Sequence, residues 1–287
     1  MTLTGPVFVG TDLTSRSAEA LRQAHRLAET LSASLIVCHI LPEFPRVRIL
    51  FPQFSGTDAE VREALLAKAR EAVEHEVAQM PGIDRVRWRL VFDMGSPHSG
   101  LLAQAEASRA GLIVTGPGPV ADRVVRHATV PVLVAGPSPR GDVIGATDFS
   151  DPSLPALETA ASEARRRQSR LHLVHVVDLG VHALAGIGGG ISYLTPPALQ
   201  AIEELRADAQ ERLEYKLASL AVDGQAVAVS GPTVTMILDL AESSRAELIV
   251  VGTHGRSGFA RLTLGSTAES VVRSAPCSVL VVRLASA

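Results

Sequence analysis

Leu248-Ile-Val-Val251-Gly252-Thr-His254-Gly255-Arg256-Ser-Gly-Phe-Ala-Arg261-Leu-Thr-Leu-Gly265-Ser266-Thr267-Ala268-Glu269 is the stretch whose reading decides the fold. An uninterrupted apolar run ending in glycine reads as a buried strand of a parallel sheet. In an open α/β sheet, ligands bind where the chain leaves the carboxyl ends of such strands. From Gly252 to Ala268 the segment holds four glycines, two arginines, one histidine and no acid. Several main-chain N–H groups can therefore approach an anion with cationic side chains beside them. Ser266 and Glu269 have the Ser-x-x-Glu spacing of a capping box ahead of Val271 and Val272. That predicts a helix whose N-terminus adds unpaired N–H groups and a dipole to the same place. The composition suits phosphate.

Working outward, Ser244-Arg-Ala-Glu-Leu-Ile-Val250 has an earlier counterpart in Ser108-Arg-Ala-Gly-Leu-Ile-Val114, and 244 − 108 = 136. The same offset of 136 joins Asp12 to Asp148, each after a short apolar run, and joins His39 to His175. A constant offset over this span marks a duplication, so both halves share one fold. Strands alternate with helical periodicity in each half, which predicts βαβ crossovers and a parallel sheet. In the first half the strands are expected near Val7–Thr11, Leu35–Leu41, Val86–Phe92, Leu112–Thr115 and Val132–Ala135. The boundary is expected at the Pro/Gly-rich residues 138–142, leaving domains at 1–137 and 143–287. Two stripes on long helices read as core faces: Val61, Leu65, Val73, Val77 and Met80, then Leu199, Ile202, Leu205, Leu213, Leu217 and Leu220.

The offset changes after Gly116. Ala121-Asp-Arg-Val-Val-Arg126 answers Ala268-Glu-Ser-Val-Val-Arg273, and 268 − 121 = 147, so eleven residues are absent from the first copy (147 − 136 = 11). Pro117-Gly118-Pro119-Val120 stands where the second copy has its Gly-rich loop, and the two prolines remove two N–H donors. The first half is therefore expected to be unable to cradle a triphosphate.

Gly252-x2-Gly255-x9-Gly265-Ser266 resembles the phosphate loop of the ATP-binding branch of the universal stress protein family at all four positions. It is not a Walker loop, since no Gly-Lys-Ser/Thr follows. The resemblance implies an α/β fold of two tandem Rossmann-like doubly wound domains, each a five-stranded parallel sheet flanked by helices. It also implies ATP, with Mg2+, in the second domain. Ala146-Thr147-Asp148-Phe-Ser150 resembles the family's first-strand signature. By this resemblance Asp148 contacts the nucleoside and the Val176 main chain meets adenine. Gly252, Gly255, Gly265, Ser266 and Thr267 would hold the phosphates, with Ala146, Thr147, Val251 and Ala268 lining beside them. Arg256, Arg261 and His254 are candidates for neutralising phosphate charge, or are solvated loop residues. Asp148, like Asp12, has an Asx-type turn as its alternative role. The family's pairing habit implies that the two halves form an internal pseudo-dimer. A homodimer of chains and a protein partner are left open.

With 287 residues, 46% hydrophobic and 20% charged, the chain has the balance of a globular protein with room for two cores. A formal charge of −3 gives no basic face for nucleic acid or a membrane surface. Two cysteines without disulfide spacing, no signal-like start and no membrane-length apolar run lead to the expectation of a cytoplasmic protein. His172, His175 and Asp178 resemble a metal cluster in composition, but alternation along a strand puts the two histidines on opposite faces. A structural role is expected for His39 and His175. No nucleophile, acid–base pair or metal set stands out, so the function expected is a nucleotide-controlled regulator of the stress response, and any ATP hydrolysis is expected to be slow. The competing readings are an ATP-cleaving or adenylyl-transferring enzyme, and a scaffold that binds no nucleotide.

Overall fold

Strands form where the sequence can be buried on both faces. All four residues of Leu112–Thr115 and the first four of Leu248–Gly252 are buried, as a parallel sheet covered by helices on both sides requires. The computed structural model describes residues 4–42, 58–137, 140–178, 196–253 and 264–283. The chain divides into two compact units, Thr2–Ala135 and Gly136–Ala287. The first contains β1 (Val7–Gly10), α1 (Ser15–Thr30), β2 (Leu35–Leu41), α2 (Asp58–Ala78), β3 (Trp88–Met94), α3 (Pro97–Ala107), β4 (Leu112–Thr115), α4 (Pro119–His127) and β5 (Val132–Val134). The second repeats this series with β6 (Val143–Ala146), α5 (Leu154–Arg167), β7 (Leu171–Val177), α6 (Pro196–Leu220), β8 (Gly224–Ser230), α7 (Thr233–Ser243), β9 (Leu248–Gly252), α8 (Ser266–Ser274) and β10 (Ser278–Val282).

In the first unit the strand order is β3-β2-β1-β4-β5, with every described pairing parallel. In the second it is β8-β7-β6-β9-β10, again parallel. From β6 the chain winds outward through β7 to β8, then crosses back to place β9 on the other flank of β6. Val143 accordingly pairs with Leu171 on one side and Leu248 on the other. The reversal opens a crevice beyond the carboxyl ends of β6 and β9, the place where doubly wound sheets take ligands. Gly145 in β6 serves this packing: a Cβ there would lie 2.9 Å from the Ala160 Cβ, so glycine lets α5 press onto the sheet.

Three expectations need correction. Strand β3 begins at Trp88 rather than Val86, because the N–H of Val86 closes a 3-10 turn on the Ile83 carbonyl. Val86 is still buried, which is what its apolar character recorded. Val73 and Val77 on α2, and Met80 just beyond its end, are buried as expected, and so is Leu213 on α6. Leu205 does not: it is 57% exposed, because its part of α6 borders a cavity. The third correction concerns the capping box. Gly265 is the N-cap of α8 and makes no side-chain capping bond, while Ser266 is the first helical residue. Glu269 instead pairs with Arg273 one turn on, at 2.7 Å.

Candidate functional site

Each unit turns from its first strand into its first helix through the same set of hydrogen bonds. The Asp148 Oδ1 accepts from the Ser150 N–H at 3.1 Å, and from the Ser150 hydroxyl at 2.6 Å. Asp12 does the same with the Thr14 N–H and hydroxyl, at 3.0 and 2.6 Å. The Thr147 hydroxyl accepts from the Phe149 N–H at 2.9 Å, as Thr11 accepts from Leu13 at 3.1 Å. Both turns put a non-glycine residue at positive φ, Leu13 at 61° and Phe149 at 62°. The Asx turn is thus a property of both aspartates. It occupies Oδ1 in each.

His39 and His175 are also equivalent. Each imidazole donates from Nδ1 to the main-chain carbonyl at the end of the neighbouring strand: His39 to Thr11, His175 to Thr147, both at 2.8 Å. The expected structural role is what the geometry gives. His172, on the other face of β7, bonds through Nε2 to Asp142 at 2.8 Å. Among the described residues no cluster of side chains could hold a metal ion.

Beyond the carboxyl ends of β6, β7 and β9 lies a cavity of about 580 Å3. That is the range of small-ligand pockets. Strand β6 and its turn bring Ala146, Thr147, Asp148 and Phe149 to it. Strand β7 brings His175 and Val176, and β9 brings Val251 and Gly252. Gly265, Ser266, Thr267 and Ala268 supply the wall at the start of α8. Ten of the residues singled out by sequence therefore lie on one cavity: Ala146, Thr147, Asp148, Val176, Val251, Gly252, Gly265, Ser266, Thr267 and Ala268. The other three, His254, Gly255 and Arg256, lie outside the described residues, as does Arg261.

The two ends of the glycine-rich loop are tied together. The Thr253 N–H donates to the Val282 carbonyl at 3.1 Å, and the Gly265 N–H donates to the Thr253 carbonyl at 2.8 Å. Helix α8 therefore starts beside the end of β9. Its first intrahelical bond runs from the Glu269 N–H to the Gly265 carbonyl at 3.0 Å, so the N–H groups of Ser266, Thr267 and Ala268 have no acceptor within the helix. Gly265 sits at φ −62°, ψ 144°, a conformation open to any residue, and a Cβ would have ordinary clearance of 3.4 Å from the Thr253 carbonyl. The backbone itself does not demand glycine here.

The long helix α6 packs on β7 and β8 and closes a wall that the sequence did not announce. Leu205, Asp208, Ala209 and Arg212 line the cavity from it. The Arg212 guanidinium carbon lies 4.0 Å from the centre of the Phe149 ring. That ring lies 4.4 Å from the His175 ring at an interplanar angle of 35°. The signal was present in the repeat. At the offset of 136, Phe149 replaces Leu13 and Arg212 replaces Glu76 (212 − 136 = 76). In the first unit, burial pushes the Glu76 carboxyl up, Arg22 opposes this, and the Asp12 carboxylate adds to it. The position that is cationic in the second unit is thus acidic, and close to another carboxylate, in the first.

The helix corresponding to α8 is α4. Its N-cap is Gly118 at φ 140°, and its first residue is Pro119, which has no N–H. Gly116, the counterpart of Gly252, packs so closely that a Cβ would come within 2.9 Å of the Arg16 carbonyl.

The universal stress protein family model matches this chain twice, over residues 4–136 and 140–283. A universal stress protein of Mycobacterium tuberculosis is 30% identical, over 97% of this chain and 95% of its own. One from Methanocaldococcus jannaschii is 30% identical over 48% of this chain and 78% of its own. Among solved structures, a universal stress protein from Archaeoglobus fulgidus shares the fold with a TM-score of 0.70 at 19% identity, covering 96% of each chain. Among the described residues no helix is long and apolar enough to cross a membrane. The two family-model matches and the near full-length mycobacterial relative establish that this chain belongs to the universal stress protein family, with two of its domains in tandem.

Proposed function

We propose that the second unit binds one molecule of ATP, with Mg2+, and that the protein acts as a nucleotide-controlled regulator in the stress response. The observation that carries this reading is the meeting of Asp148, Val176, Gly252 and Gly265–Ala268, from four separate stretches of sequence, on one cavity at the switch point of the sheet. The chemistry of the groups suits the ligand. Unpaired N–H groups and the positive end of the α8 dipole favour phosphate oxygens. Gly252 and Gly265 keep side chains out of the approach. In this reading the Asp148 carboxylate would accept from a ribose hydroxyl, and the main chain at Val176 would meet the edge of adenine. Mg2+ would arrive with the phosphates and keep several waters, as that ion does where few carboxylates are offered.

The first unit lacks this set. Pro119 removes a donor at the helix start, the loop is shorter by eleven residues (147 − 136 = 11), and Glu76 puts a carboxyl where the second unit has the Arg212 cation. One nucleotide per chain is the consequence. Incubating the full-length protein with ATP and Mg2+, then separating nucleotides, tests the regulatory reading. Bound ATP recovered intact supports it, stoichiometric or faster turnover to ADP or AMP favours an enzyme, and no retained nucleotide favours a scaffold.

A further inference from the structure

We propose that Arg212 is a base-binding residue of the second unit's cavity, stacking on the nucleobase of the bound nucleotide. This rests on the ATP-binding reading above. The guanidinium is flat, permanently charged and already held: it lies 4.0 Å from the Phe149 ring centre, and Phe149 is held in turn by contact with His175, whose Nδ1 donates to the Thr147 carbonyl. The side chain remains 49% exposed and lines the cavity, so it has surface left to offer beyond its contact with Phe149. The Asp208 carboxylate one turn away on α6 is 3.9 Å from it, too far for a hydrogen bond that would fix the guanidinium elsewhere. Planar guanidinium groups stack on nucleobases and on aromatic rings alike.

Position selects the base rather than the phosphates. Arg212, Phe149 and His175 stand at the β6–β7 side of the cavity, whereas Gly252 and the start of α8 stand on the β9 side. Adjacent strands are about 4.8 Å apart, so β7 and β9 are separated by about 10 Å, enough to place a base at one end and its phosphates at the other. The comparison within the chain points the same way. The first unit, which lacks the phosphate cradle, has Leu13 and Glu76 at the equivalent places, and its own cation–aromatic contact, Arg70 4.8 Å from the Phe92 ring centre, uses different positions.

The test is calorimetric titration of the full-length protein and of Arg212→Lys, which keeps the charge and loses the plane, against ATP, adenosine and inorganic triphosphate. Loss of a planar group stacked on the base should weaken ATP and adenosine each by about tenfold in Arg212→Lys while triphosphate is unchanged. Phe149→Leu, which installs the first unit's residue, should weaken the same two ligands by a smaller factor. Unchanged ATP and adenosine affinities in Arg212→Lys would overturn the proposal. So would loss confined to ATP and triphosphate, which would make Arg212 a phosphate clamp. If the unsubstituted protein binds no ATP, the site reading itself fails and the stacking role falls with it, an outcome distinct from normal ATP binding that ignores Arg212.

Discussion

The Gly265 N–H donates to the Thr253 carbonyl at 2.8 Å, so the last residue of β9's exit and the N-cap of α8 are joined across the glycine-rich loop. This bond fixes the first turn of α8 against the carboxyl end of the sheet. Gly265 has φ −62° and a Cβ there would have ordinary clearance of 3.4 Å from the Thr253 carbonyl, so the fold does not require glycine at this position.

Gly265→Val should therefore weaken ATP by about 1–3 kcal/mol, roughly 5- to 150-fold, by blocking hydrogen bonds to an anion. Valine is a poorer N-cap than glycine, which should lower stability by about 1 kcal/mol, or about 2–4 °C in Tm. Titration calorimetry and ligand-free thermal melting measure both. A fall in Tm well beyond this range with ATP affinity intact would show that the glycine is structural.

Asp148 has two tasks under the proposed function, the Asx turn through Oδ1 and a contact of the carboxylate with ribose. Asp148→Asn keeps an oxygen for the turn and removes the charge, and should lower ATP affinity by about tenfold with little loss of stability. The loss should shrink for an analogue lacking the ribose hydroxyl concerned. Asp12→Asn should leave ATP affinity unchanged. Equal effects of the two substitutions would contradict the asymmetry between the units.

Glu163 on α5 is 4% exposed and accepts from Arg166 and from the Arg167 Nε at 3.2 Å. Burial pushes its carboxyl up, but the hydrogen bond from Arg166 and the charges of Arg166 and Arg167 together hold it below the ordinary value near 4.5. A depressed folded-state pKa stabilises the fold above about pH 4.5, and that contribution is lost as pH falls through the lowered value. Glu163→Gln, which leaves the two arginines without this carboxylate, should cost about 3 kcal/mol at neutral pH. The Tm gap to the unsubstituted protein should narrow as pH falls below about 4.5. A gap constant from pH 7 to pH 3 would refute the charge-based account.

Cys38 and Cys277 are buried thiols, each pushed up to about 12. Burial does this for both; the Asp93 charge adds to it at Cys38, while at Cys277 burial outweighs a main-chain hydrogen bond from Ile249 and the charge of Arg167. Thiolate is the reactive form, so a disulfide reagent at pH 7.5 should label the folded protein slowly and both cysteines rapidly in guanidinium. Fast labelling of the folded chain would contradict this burial.

Much of this architecture was legible because the sequence states it twice. Leu35–Leu41 and Leu171–Val177 are short, mostly apolar stretches that the alternation with helical segments marks as parallel strands, and the offset of 136 carries one onto the other. Strand β3 starts two residues after Val86 because burial and strand membership are different things, and a 3-10 turn buries a valine as well as a strand does. Ser266 and Glu269 have the composition of a capping box, yet helix entry is decided by backbone angles that residue types do not encode. The Phe149–Arg212 wall was hidden for another reason: its partners are 63 residues apart (212 − 149 = 63), and only the crossing of α6 over β7 brings them together.

The central claim is a single nucleotide site per chain, in the second unit. Calorimetric titration of the full-length protein with ATP and Mg2+ measures it directly. One site is expected, weakened roughly 5- to 150-fold by Gly265→Val and about tenfold by Asp148→Asn, and untouched by Asp12→Asn. Two equivalent sites per chain, or one site that survives both second-unit substitutions, would contradict it.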